Sequence, residues 1–101
     1  MPNMNEILRQ AQLMQRKISQ VQESLAEKEF EASSGGGMVK AVVTGKQTLK
    51  NLIIEPKACE DVEMLQDLVM AAVNEALRIS HETLEREMGN ISGNIKLPNI
   101  F

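Results

Sequence analysis

The chain has 101 residues, 11 basic and 14 acidic side chains, a formal net charge of -3 and two aromatic residues, Phe30 and Phe101. That length fits one domain, small enough that an isolated copy buries only about two-thirds of its unfolded surface, so a partner subunit is attractive. The net charge excludes a global pull toward nucleic acid or acidic lipid, and the lack of Trp and Tyr excludes base-stacking platforms, so nucleic-acid binding would need a local basic patch.

A single cysteine, Cys59, rules out an intrachain disulfide and suits a reducing compartment. The longest apolar run, Leu68 to Val73, is far short of the roughly 20 residues of a bilayer span, and Met1-Pro2-Asn3-Met4 has neither a basic nor an apolar leader region. A soluble, cytoplasmic protein with no membrane contact is expected.

The first predicted helix covers 3–28. Asn3 can cap it, with Glu6 three residues on as in a capping box. Met4, Ile7, Ala11, Met14, Ile18, Val21 and Leu25 follow an unbroken heptad a/d pattern, so one narrow stripe is apolar. The stripe fits equally well against this chain's own sheet or second helix and against another subunit. Charge along the helix is uneven: Glu6, Arg9, Arg16 and Lys17 leave its start basic, whereas Glu23, Glu27, Lys28 and Glu29 leave its end acidic. With the stripe at a and d, Arg9 and Arg16 fall at f, opposite the seam, and Lys17 at g. They face solvent, either as solubilising charges or where a phosphate can meet them.

A sheet is expected over 29–55. It comprises a short apolar segment from Phe30, a reversal at Ser33-Ser34-Gly35-Gly36-Gly37, a strand from Met38 to Thr44, a turn at Gly45-Lys46-Gln47 and a strand from Thr48 to Ile54 closed by Pro56. Val39, Ala41 and Val43 share one face of the middle strand. Neither face is purely polar, which points to partial cover of the second face by another layer or subunit. Lys40, Lys46, Lys50 and Lys57 read as edge-protecting charges.

The second predicted helix covers 61–88, with Asp61 as cap, Glu63 and Asp67 at its positive end and Gly89 as the C′ residue that stops it. Leu65, Leu68, Val69, Ala72, Val73, Ala76, Leu77, Ser80 and Leu84 make it the principal core helix. Its solvent face is acidic, carrying Glu75, Glu82, Glu85 and Glu87 against Arg78 and Arg86. The tail, 89–101, with Ile91, Ile95, Leu97, Pro98, Ile100 and Phe101, is too apolar to remain solvated and is expected to dock on its own chain or a partner's. Helices of this length reach about 38 to 40 Å, whereas a seven-residue strand covers about 23 Å, so the helices overhang the sheet. Overhanging amphipathic helices favour a homodimer with projecting arms.

Catalytic chemistry finds little support. His81 has no Cys or His at metal-ligand spacing, Cys59 has no base near it in sequence, and the glycine run precedes a strand without a Gly-Lys-Ser/Thr ending. No enzyme, metal, cofactor or small-molecule substrate is expected. An α+β protein with a long helix, a three-stranded antiparallel meander and a second long helix is the reading the residues support.

Taken together, Leu8-Arg9-Gln10-Ala11-Gln12-Leu13-Met14-Gln15, Gly36-Gly37-Met38-Val39-Lys40-Ala41 with Thr44-Gly45, and Ile53-Ile54-Glu55-Pro56 resemble the YbaB/EbfC family of bacterial nucleoid-associated proteins. So do Glu63-Met64-Leu65-Gln66-Asp67-Leu68-Val69 and Ala71-Ala72-Val73-Asn74-Glu75-Ala76, and the resemblance covers nearly the whole chain. Gly45-Lys46 stands where Asn-Gly is common in the family, and the chain ends at Phe101 without a longer tail. The resemblance implies a tweezer-shaped homodimer joined through its sheets, whose helices bind duplex DNA and organise the nucleoid or regulate expression. Carried over by position, the candidate DNA contacts are Arg9, Arg16 and Lys17, with Arg78 and Arg86 weakened by the acidic helix around them. A dimeric adaptor or chaperone-like protein that binds a protein partner through its Met-rich stripe and no DNA is the alternative.

Overall fold

The computed structural model describes residues 3–92, with side chains to residue 89. The first helix, α1, runs Met4–Ala26; strands β1 (Glu29–Ser34), β2 (Val39–Thr44) and β3 (Leu49–Ile54) follow; the second helix, α2, runs Val62–Ser92. Short 3-10 turns at Gly35–Gly37 and Pro56–Glu60 join β1 to β2 and β3 to α2. The sheet is an antiparallel meander in the order β1-β2-β3.

Both helix starts form as their cap residues dictate. Asn3 Oδ1 accepts from the Glu6 backbone N–H at 2.9 Å, and Asp61 Oδ1 accepts from that of Met64 at 3.1 Å. The β1–β2 reversal needs its three glycines because all three have positive φ, a region that costs other residues steric strain. Ser33 and Ser34 belong to β1 and not to the reversal, because Ser34 Oγ donates to the Leu68 carbonyl of α2 at 2.6 Å and so ties the strand end to the helix.

Register places the core on one face. Phe30 pairs with Val43, Ala32 with Ala41, Val39 with Ile54 and Ala41 with Leu52, all directed at α2. Val39, Ala41 and Val43 are wholly buried against Ala72 and Ala76 of α2, whose small side chains let the helix backbone approach the sheet. Burying a valine this fully stabilises by about 1.5–3 kcal/mol. The helix lies across β1 and β2 rather than β3. On the other face Ile53 of β3, opposite Lys40, stays 49% exposed beside the Lys40–Glu31 ion pair at 3.2 Å, while a bulge sets Leu49, 44% exposed, opposite Val43. That mixed second face, expected to be covered, has no cover within the described part of this chain.

Two boundaries differ from expectation. The first helix ends at Ala26 rather than residue 28, because the chain must turn there: the Lys28 N–H donates to the Leu25 carbonyl and the Gly45 N–H to the Lys28 carbonyl, each at 3.1 Å. At its other end, α2 passes through Gly89 to Ser92, so Gly89 is not the C′ residue; it lacks the positive φ that a left-handed cap requires. The expected docking of the tail concerns residues that lie, from 93 onward, outside those described.

The overhang is present. The molecule measures 68 × 21 × 15 Å, with a radius of gyration of 19.1 Å against about 13 Å for a compact domain of this length. Its α1 packs on α2 near the sheet and then continues past it, and only Leu25 is fully buried along the whole of α1.

Candidate nucleic-acid interface

Exposure along α1 sorts by face. Ile18 and Val21 are half-buried and Leu25 is buried, so the end of the heptad stripe near the sheet packs within the chain. Towards the N-terminus the same stripe emerges: Met4 is 68% exposed and Ile7 48%. On the opposite face lie Arg9 and Arg16, with Lys17 on the flank, all three exposed. Seven residues are nearly two full helical turns, so the two arginines stand in one row about 10.5 Å apart along the axis. Among the described residues none of the three has an ion pair, whereas Lys40, Lys50 and Arg78 each do.

Arg78 is held on its own helix. Its Nε donates to Glu75 Oε2 at 2.9 Å, its Nη1 to Glu82 Oε1 at 2.8 Å, and its Nη2 pairs with Glu75 Oε1. Hydrogen bonds to the two carboxylates push the guanidinium pKa further up, and the bond from Arg78 holds the Glu75 carboxyl below the usual carboxylate range. A phosphate reaching Arg78 would have to displace two carboxylates. The spacing carries this signal in the sequence, since acids three residues before and four after an arginine share its helix face. Arg86 is exposed on the same acidic helix, where His81 Nε2 and Glu85 Oε1 meet at 2.9 Å.

The sheet lysines divide similarly. Lys40 pairs with Glu31, and Lys50 pairs with Glu29 across β2, which leaves Lys46 at the β2–β3 turn beside Ala26 and Glu27 of α1. Lys28 sits 5.9 Å from the centre of the Phe30 ring. Among the described residues no group of His, Cys, Asp and Glu is arranged to hold a metal, and no helix is long and apolar enough to cross a membrane.

A helix-covered meander from which a helical arm projects, bearing Arg9, Arg16 and Lys17 exposed on it, defines a class of small α+β proteins. The chain belongs to the YbaB/EbfC DNA-binding family, whose sequence profile matches residues 1–95. It is 54% identical over 100 residues to a nucleoid-associated protein of Moorella thermoacetica, covering 97% of this chain and 96% of that protein. With a nucleoid-associated protein of Alkaliphilus metalliredigens it shares 47% identity over 102 residues, covering 99% and 90%. The crystal structure of the uncharacterized protein HP0035 from Helicobacter pylori superposes with a TM-score of 0.73 at 25% identity, covering 94% of this chain and 98% of that one. The fold of two long helices around a three-stranded antiparallel sheet is therefore shared.

Proposed function

We propose that this protein is a homodimeric, nucleoid-associated protein that binds duplex DNA without catalysis, through phosphate contacts made by Arg9, Arg16 and Lys17 of α1. The observation that carries the reading is that row of exposed cations without ion pairs, on an arm that stands clear of the sheet. Family membership supports DNA as the ligand, and the names of the relatives support a place in the nucleoid, within the cytoplasm. Duplex DNA presents a negative charge about every 1.7 Å of its axis, so a row of cations finds phosphates in any sequence. Such contacts position the protein and read little sequence. Arg86 contributes weakly and Arg78 least, because the acids around them repel the same phosphates.

The uncovered sheet face supports dimerisation. Ile53, half exposed on that face next to an unpaired β3 edge, is apolar surface that a second copy buries. Two copies would present two arms to DNA and couple weak contacts.

Affinity for a 30-base-pair duplex at low salt tests the location of the site. The combined Arg9→Gln, Arg16→Gln, Lys17→Gln variant, checked for unchanged oligomeric state, is expected to bind at least about tenfold more weakly, while Arg78→Gln stays within about twofold of wild type. Equal losses in both variants would move the surface away from α1.

A further inference from the structure

The β2–β3 turn holds one residue in a backbone conformation that its type disfavours. The Gln47 N–H donates to the Thr44 carbonyl at 2.9 Å, and the Thr44 N–H to the Thr48 carbonyl at 2.9 Å, so the loop consists of residues 45–47. A three-residue hairpin loop takes left-handed backbone at its last position, where glycine is the usual occupant. Here that position is Gln47, at φ 63°, the one residue other than glycine with positive φ among the described residues. A side chain there carries strain that glycine would not, and such strain persists only where the surroundings hold it. Gln47 Nε2 donates to Ser80 Oγ of α2 at 2.8 Å, and Ser80 Oγ donates to the Thr44 carbonyl at 3.1 Å. Ser80 is 1% exposed, so the clamp runs from the turn into the core face of α2 and back to the turn.

The same turn bears on α1. The Gly45 N–H donates to the Lys28 carbonyl at 3.1 Å, and Gly45 lies so close to the Leu25 carbonyl that no Cβ fits between them. Leu25 is the one fully buried residue of α1, so contacts at that end govern the direction in which the arm leaves the sheet. Arg9 stands about 24 Å from Leu25 along the axis, and a swing of about 10° there moves it by about 4 Å. That exceeds the axial step of about 3.4 Å between phosphates on one DNA strand. We infer that Gln47 is a positioning residue: through Ser80 it fixes the turn against α2, and the fixed turn sets the direction of the arm that carries Arg9, Arg16 and Lys17. Its consequence for binding rests on the reading of those three cations as the DNA contacts, whereas the geometry of the arm is measured without DNA.

Spin labels on the exposed native Cys59 and on Gln12→Cys, in full chains diluted into an excess of unlabelled Cys59→Ser chains, report the arm against the body by pulsed electron paramagnetic resonance. Gln47→Gly is the informative variant, since glycine relieves the backbone while removing the clamp. Relief of strain offsets the lost hydrogen bond, so its urea midpoint is expected to stay within about 0.3 M of wild type. Its 59-to-12 distance distribution is expected to widen at least about twofold, while a control distance from Cys59 to Asn74→Cys on α2 keeps its width. Gln47→Asn, which tolerates left-handed backbone but is one methylene too short for Ser80, is expected to widen the arm distance likewise. An arm distribution as narrow as wild type in both variants overturns the inference, and so does widening shared by the control pair. Unlabelled Gln47→Gly is expected to bind duplex DNA at least about threefold more weakly at low salt. Unchanged affinity overturns the link to binding; a wild type that does not bind overturns the DNA reading instead, and the distance result still decides the clamp.

Discussion

Gly45 shows how a single position can be set by contact rather than by its own backbone. It is not among the residues with positive φ, yet a Cβ placed there would lie 1.8 Å from the Leu25 carbonyl oxygen and 2.5 Å from its carbon. Backbone atoms cannot yield as a flexible side chain does, so Gly45→Ala is expected to destabilise the fold by at least about 3 kcal/mol, read as a shift in urea midpoint. A loss under about 1 kcal/mol would mean that α1 and the hairpin are not in this contact. Ser80 is a comparable case: its hydroxyl donates to the Thr44 carbonyl at 3.1 Å and accepts from Gln47 Nε2 at 2.8 Å, so a buried polar group on the core face of α2 is fully partnered. Helical periodicity places Ser80 on that face, and the glycine of the Gly45 turn is legible as a reversal. The reasons for both residues lie with partners far along the chain, which no local pattern displays.

At the level of elements, caps and periodicity made both helices and the meander legible because those signals are local. Asn3, Asp61 and the heptad stripe act within one or two turns of themselves. The same locality misleads at the end of α2: Gly89 looks like a helix stop, but here it adopts helical backbone and the helix passes through it. Nothing lies within 4 Å of a Cβ built at Gly89. Gly89→Ala is therefore expected to stabilise the protein by about 0.5–1 kcal/mol in thermal denaturation, as it does for a helix interior, whereas a left-handed cap would be destabilised by the same change. Of the candidate site, the basic face of α1 was readable from spacing. The clamp on Arg78 was equally readable from Glu75 and Glu82, though which of several helix-face acids would pair required the folded geometry.

For the whole molecule, elongation is the governing property. A chain this extended buries less surface than a compact domain of its length, and among the described residues its sheet is covered on one face only. Sedimentation of the wild type is expected to give twice the 11.2 kDa chain mass, and Ile53→Glu to shift it toward a single chain, since a charge would then be buried at the paired face. A wild type that sediments as one chain would remove the two-armed geometry. The central claim is that arm cations meet DNA phosphates, and a salt series of duplex binding by fluorescence anisotropy tests it most directly. Counterion release predicts a log-log slope of about -0.9 per phosphate neutralised, shallower by about 2 to 3 units for each engaged arm when Arg9, Arg16 and Lys17 are replaced by glutamine. A wild-type affinity independent of salt, or a slope that the triple variant leaves unchanged, would contradict the account.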